Sequence, residues 1–261
     1  MKKADGLRWW LTKGAANLRR FFIDTPLLDE MSIEGLDAHH ISRVLRLPVG
    51  QRIIVVSPDG SSGIARIDQI AVDKVIVTLQ ETVVEDKEAP VTIYLAQGLP
   101  KSDKMDYIVQ KAVELGVKRI YPLELEHCVV HYDHAKKNTR RERWQKIAME
   151  AAKQCGRSLV PTVEPIATLS ALFESLADDI VVLMLYEGQA MQGLKQALTQ
   201  HHGENYLLIV GPEGGFSAKE VAMCSSHGAS IVTIGPRILR TETAALAGLS
   251  ILMYEYGDLG G

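Results

Sequence analysis

The sequence predicts an α/β domain with a mainly parallel sheet, preceded by a small β unit. Two observations carry this. From residue 89 onward, apolar strand-like runs alternate with segments of helical periodicity, the order expected when helices cover the faces of a parallel sheet. Before residue 88 the apolar residues come in short β-branched runs separated by turn residues, which reads as a small antiparallel unit. A chain of 261 residues has room for both, each with a core of its own.

The folded chain is expected to start near Arg19. Residues 1–18 read as an extension: Lys13 interrupts the apolar run Trp9-Trp10-Leu11 and no small-residue cleavage site follows, so a signal peptide is not expected. A helix is predicted over 38–45, closed by Pro48 and Gly50. Strands are predicted over 52–57, 64–70 and 74–79. Pro58-Asp59-Gly60 makes a hairpin turn between the first two, since proline presets φ and glycine accepts positive φ. The charged run Glu85-Asp86-Lys87-Glu88 ahead of Pro90 breaks the pattern and reads as a linker, which divides the chain into 1–18, 19–88 and 89–261.

Beyond the linker, residues 91–96 read as a buried strand. Met105, Ile108, Val109, Ala112 and Leu115 then recur at helical spacing until Gly116, with Ser102 or Asp103 to cap the start. Further strands are expected at 119–125, 159–163, 180–186, 206–210 and 231–234. Helices are expected at 141–155, 169–177, 191–201, 218–227 and 244–256. In a sheet of this kind a ligand binds beyond the C-terminal ends of the strands.

Composition narrows the function. A net charge of -3, with 46% hydrophobic and 23% charged residues, excludes a protein that coats itself with polyanion but permits a local basic face. The three cysteines, Cys128, Cys155 and Cys224, have no ligand spacing, so neither a disulfide framework nor a metal site is expected and a reducing cytoplasm is the natural home. No stretch approaches the roughly 20 apolar residues of a membrane span.

Two loops stand out, each following a buried strand and leading into a helix. In the first, Gly211-Pro212-Glu213-Gly214-Gly215-Phe216-Ser217, the glycines let backbone approach a ligand, and Ser217 with Glu220 forms a capping box. The bland alternative is a plain strand-to-helix turn. Its spacing is neither GxGxxG nor GxxxxGK[ST], which argues against a dinucleotide-dependent oxidoreductase and an ATPase. The second loop runs from Gly235 through Pro236, Arg237, Ile238, Leu239, Arg240 and Thr241 to Glu242 and Thr243. Ile238 and Leu239 suit the wall of an adenine pocket, or else they plug the core. Glu242 complements a helix N-terminus, whereas a cation at Arg240 opposes the dipole and so calls for another purpose.

Charge adds a partner. Between residues 136 and 157 stand Lys136, Lys137, Arg140, Arg141, Arg143, Lys146, Lys153 and Arg157 against only Glu142 and Glu150, an excess that reads as a polyanion footprint or as a solvated helix face. Arg19, Arg20, His40, Arg43 and Arg46 offer a second patch in the smaller unit.

GPEGGF after one strand and GPRILRTETAA before the last helix closely resemble the trefoil-knotted SPOUT methyltransferases, and within them the bacterial family that methylates uracil N3 of small-subunit ribosomal RNA. Further matches lie at 19–23, 40–46, 104–116 and 150–157, so the likeness runs from about residue 19 to the end. Glu126-His127-Cys128 departs from it, standing where an arginine-serine pair is expected. The resemblance implies a knotted C-terminal domain, a PUA-like RNA-binding β-barrel at 19–88, a homodimer, and S-adenosylmethionine as donor. Carried over by motif, the donor pocket uses Leu183, Leu185, Gly211, Pro212, Glu213, Gly214, Ile234, Gly235, Ile238, Leu239 and Thr243. Uracil N3 must lose a proton before it attacks, and a cation beside the carbonyl oxygens stabilises the resulting anion. Arg240 is the candidate for that cation, and Glu242 a weaker one for accepting the proton. Two alternatives stay open at this point: a methyltransferase of the same fold acting on another RNA atom, and a non-catalytic RNA-binding assembly factor.

Overall fold

The computed structural model describes residues 18–71, 73–83, 87–188, 192–201 and 203–260; the expected extension up to residue 17, the first half of the linker (Glu85 and Asp86) and Met191 lie outside the described residues. The described residues form two compact units, one up to Glu88 together with Lys153–Leu159, the other from Ala89 to Ala152 together with the chain from Val160 onward.

The smaller unit holds a curled five-stranded sheet made of β1 (Arg20–Phe22), β2 (Glu30–Glu34), β3 (Arg52–Val56), β4 (Ser62–Ile70) and β5 (Lys74–Val83), in the order β1-β3-β4-β5-β2. It is mixed rather than purely antiparallel, because β1 lies parallel to β3. Sequence reading missed β1 and β2, which are short and carry charged residues. The hairpin β3–β4 turns as expected: Gly60 adopts a φ of +85°, and the Asp59 carboxyl, bonded by the Ser57 and Ser61 hydroxyls, is held down to about 2. Alternate residues of each strand (Phe21, Ile33, Ile53, Val55, Ile67, Val75 and Val77) meet in one core. In place of one helix over 38–45, α1 (Gly35–His39) passes into a π-helical turn at His40–Val44, where Leu45 N–H reaches back to the His40 carbonyl.

The larger unit is a seven-stranded sheet, every pairing of which is parallel. Its strands are β6 (Thr92–Gly98), β7 (Arg119–Leu123), β8 (Thr162–Val163), β9 (Val181–Leu185), β10 (Gln192–Gly193), β11 (Asn205–Val210) and β12 (Ser230–Thr233), ordered β10-β12-β9-β11-β6-β7-β8. The helices are α2 (Lys104–Glu114), α3 (His134–Cys155), α4 (Leu169–Ser175), α5 (Leu194–Gln200), α6 (Ala218–Ser226) and α7 (Thr241–Glu255). The central strands are apolar on both faces, with Leu207, Leu208, Ile209, Leu183 and Met184 all buried, as a sheet covered on both sides requires.

Two boundaries moved for physical reasons. Helix α3 begins seven residues before the expected 141, since its first turns are charged and polar and carry no apolar period; Asp133 starts it by accepting the Lys136 N–H at 2.8 Å. Helix α7 begins at Thr241, so the loop before it is shorter than the sequence suggests. The Ser217–Glu220 capping box forms, whereas Asp103 heads α2 without a side-chain bond. Burial pushes the Cys224 thiol up to about 12 and raises that of Cys128, which marks both as packing groups.

In the smaller unit Arg157 is buried and forms a forked pair with Glu88, Nη2 lying 2.5 Å from Oε2, while Glu88 also accepts the Leu159 N–H at 3.2 Å. Replacing the guanidinium leaves a confined carboxylate without its cation. We expect Arg157→Ala to lower unfolding free energy by about 3 kcal/mol, read as a shift of the urea midpoint at constant slope; a loss under about 0.5 kcal/mol would class the pair with ordinary surface contacts.

Candidate functional site

Parallel strands deliver all their C-terminal ends to one edge of the sheet, and the three adjacent strands β12, β9 and β11 each lead there into irregular backbone. Between these exits lies a cleft of about 310 Å³. Leu185, Tyr186 and Glu187 line it from the end of β9, Val210 to Glu213 with Gly215 and Phe216 from the end of β11, and Val232 through Thr241 with Ala244 from the end of β12 and the start of α7.

The turn after β11 closes with Gly215 N–H on the Pro212 carbonyl at 3.0 Å, and Gly215 adopts a φ of +68°, a left-handed conformation that favours glycine. A side chain at Gly211 would meet the Phe216 ring at 2.9 Å, and one at Gly214 would meet the His127 backbone carbonyl oxygen at 2.8 Å. The loop after β12 is shaped by Thr233, whose hydroxyl donates to the Gly235 carbonyl at 3.0 Å and accepts the Gly235 N–H at 3.3 Å; Gly235 has a φ of +140°.

Of the residues singled out for the pocket, Leu185, Gly211, Pro212, Glu213, Ile234, Gly235, Ile238 and Leu239 line the cleft, as does Arg240. Three do not. Leu183 is wholly buried two residues back along β9, Gly214 turns its Cα toward His127, and Thr243 is exposed one turn into α7. Ile238 does not plug the core: it is 80% exposed. Glu242 is also absent from the lining, because its carboxylate is held by Lys104 at 3.0 Å.

Lys104 joins the two loops. Its ammonium contacts Glu213 at 2.8 Å as well as Glu242, and the two carboxylates raise its pKa. Burial works to raise the Glu213 carboxyl, but Lys104 and the backbone N–H groups of Glu213 and Lys101 outweigh it and hold the group below the usual carboxylate range. Sequence reading missed Lys104, Tyr186, Glu187, Arg237 and Thr241. Arg237, Arg240 and Glu187 line the cleft with no hydrogen-bond or ion-pair partner among the described residues.

The predicted polyanion patches divide. Arg20 and Arg157 are buried and so unavailable to a large partner. Arg141 donates to the Val163 carbonyl at 2.9 Å, Lys137 pairs with Glu124, Arg143 with Asp106 and Lys153 with Asp37. Lys136 and Arg140 flank the Tyr132 ring at 5.5 and 5.6 Å. In the smaller unit Arg19, Arg43 and Arg46 are exposed and His40 half-buried, its ring edge-on to Phe21. The departing segment packs on the first turn: His127 Nδ1 lies 2.9 Å from the Gly214 carbonyl oxygen, and the Glu126 N–H donates to Glu220. Among the described residues no cluster of His, Cys, Asp or Glu could hold a metal ion, and no helix is long and apolar enough to cross a membrane.

A family model described as an RNA methyltransferase domain matches residues 87–253. Over 248 residues the chain is 36% identical to ribosomal RNA small subunit methyltransferase E of Bacillus subtilis, covering 91% of this chain and 97% of that protein. Its structure resembles that of ribosomal RNA small subunit methyltransferase E from Neisseria gonorrhoeae bound to S-adenosyl methionine, with a TM-score of 0.85 at 30% identity over 93% of this chain and 99% of that one. A Legionella pneumophila protein solved with the bound cofactor SAM gives the same TM-score and identity, over 93% of this chain and 100% of that one.

The Lys104 contacts predict a stability profile. A carboxyl with a lowered pKa stabilises above its unfolded pKa and loses this as pH falls through the folded value; an amine with a raised pKa stabilises below its unfolded pKa and loses this as pH rises through the folded one. The stability gap between wild type and Lys104→Met should therefore be flat from about pH 5 to pH 10 and narrow outside that window. Denaturant unfolding across pH reads it, and a gap that changes steadily inside the window would contradict the assignment.

Proposed function

The chain belongs to the RNA methyltransferase family of the ribosomal RNA small subunit methyltransferase E proteins, and from that premise we propose that it methylates N3 of a uracil in small-subunit (16S) ribosomal RNA with S-adenosylmethionine as donor. The observation that carries this reading is the cleft at the C-terminal edge of the parallel sheet, formed by two glycine turns and rimmed by unpaired guanidinium groups. Its volume of about 310 Å³ falls in the range of small-molecule sites. Leu185, Val210, Phe216, Ile234 and Leu239 give it apolar walls, Gly211 and Gly235 bring backbone close, and Glu187 sets a carboxylate where a cationic ligand needs one.

When bound, S-adenosylmethionine supplies an electrophilic methyl group. Leu185, Gly211, Pro212, Ile234, Gly235 and Leu239 would hold it; Leu183 backs the end of β9, and Gly214 and Thr243 flank the two loops. Arg240 does the catalytic work on the acceptor: its free guanidinium stabilises the negative charge that spreads over a uracil once N3 is deprotonated. Two carboxylates line the cleft, and Lys104 neutralises Glu213. The proton therefore goes to Glu187, in place of Glu242, which Lys104 also holds.

The smaller unit serves as a PUA-like RNA-binding barrel, a role supported by the exposed cations Arg19, Arg43 and Arg46. Lys136 and Arg140 beside Tyr132 add a surface that combines cations with an aromatic face, the pairing that single-stranded RNA favours. The insertion of β11 between β6 and β9 supports a knotted path for the last strands and α7. Exposed Ile251 and Tyr254 on α7 offer apolar surface to a second copy in a homodimer. Cys128, Cys155 and Cys224, none of them in a disulfide, suit a cytoplasmic setting.

Incubation with radiolabelled S-adenosylmethionine and unmodified small ribosomal subunits, followed by mapping of the methylated atom, tests the reading. Wild type should label one uracil at N3, and Arg240→Ala should lose about 10²–10³ in kcat with donor affinity little changed. Absence of label from wild type would sink the proposal; label at a ribose oxygen or a guanine would replace its acceptor.

A further inference from the structure

Three elements of the larger unit meet behind the cleft in a chain of buried hydrogen bonds. Gln97, near the end of β6, is wholly buried, and its Nε2 donates to the Gly98 carbonyl at 2.9 Å and to Thr241 Oγ1 at 2.9 Å. With that lone pair used, the Thr241 hydroxyl donates its one proton to the Gly211 carbonyl at 2.6 Å. Gly211 precedes Pro212, which has no N–H, so this carbonyl is the only hydrogen-bonding group of its peptide unit. Thr241, 5% exposed, is the first residue of α7 and ends the second loop; Gly211 opens the first turn; both line the cleft. Gln97 Oε1 is buried with no hydrogen-bond partner among the described residues, a costly arrangement that leaves the donor bonds to fix the amide. The seam is tight as well, since a side chain on Gly98 would stand 2.7 Å from Pro212 Cδ.

We propose that Thr241, braced by Gln97, is a positioning residue for methyl-donor binding: its hydroxyl ties the first turn to the start of α7 and so sets the separation of the two glycine turns that hold the donor. This rests on reading the cleft as the donor site. Thr241 and Arg240, though adjacent, then separate kinetically. Arg240 acts on the acceptor and governs kcat, whereas Thr241 acts on the shape of the cleft and governs donor affinity. The methyl of Thr241 contributes little, because the hydroxyl makes both bonds.

Calorimetric titration with S-adenosylmethionine and steady-state kinetics, on wild type, Thr241→Val and Thr241→Ser, separate these roles. Thr241→Val should weaken donor binding about tenfold and raise the donor KM equally, the effect of one buried hydrogen bond, with kcat at saturating donor within about twofold of wild type. Thr241→Ser should stay within about threefold in affinity. Donor binding by Thr241→Val equal to that of wild type, or a loss in Thr241→Ser as large as in Thr241→Val, would overturn the assignment. Should Thr241→Val fail to fold, Gln97→Met gives the second reading: weaker donor binding supports the brace, unchanged binding overturns it. Failure of wild type to bind S-adenosylmethionine would instead remove the donor reading on which the assignment stands.

Discussion

The parallel pairing of all seven strands in the larger sheet constrains everything else about the site. Parallel strands end together, so loops that are distant in sequence are brought to one edge, and those after β9, β11 and β12 become neighbours there. What the loops then need is backbone that can crowd. Gly211 lies so close to the Phe216 ring, and Gly214 to His127, that larger residues would force the turn open. Gly215 and Gly235 adopt positive φ, which releases the chain from its strand direction without strain.

Charge is sorted across this edge. Lys104 neutralises Glu213 and Glu242 behind the loops, which leaves Arg237, Arg240 and Glu187 as the charged groups in the cleft without partners among the described residues. Paired charges hold a shape; unpaired ones bordering a partly desolvated cleft are available to a substrate. The basic segment around α3 shows the same division. Most of its cations are tied to carboxylates or a carbonyl within their own unit, so the footprint that composition suggested contracts to Lys136 and Lys146, with Arg140 beside Tyr132 but also 3.9 Å from Asp103.

Periodicity made the larger unit legible because its central strands are apolar and α2 is strongly amphipathic; both glycine turns were visible as breaks in that pattern. Sequence reading failed where a residue's role depends on a partner far along the chain. Arg157 and Arg20 count as surface cations in any composition window, yet both are buried, and Glu88, the partner of Arg157, stands 69 positions away. Glu242 stood out as a carboxylate in a helix's first turn, but Lys104, on another element, had already claimed it. Gln97 and Thr241, 144 residues apart, carry no local signal and meet only once the sheet has formed. The short edge strands β1 and β10 were missed or misread because two or three residues are too few to show alternation, and β8 covers only the end of the expected 159–163 run.

The central claim is that the two glycine turns form a donor pocket whose width depends on the absence of side chains. Calorimetric titration of S-adenosylmethionine into wild type and Gly211→Val tests it most directly, because the added side chain is driven against Phe216 without removing any polar group. The account predicts saturable binding by the wild type and none by the variant. An absence of binding by wild type, or undiminished binding by the variant, would contradict it.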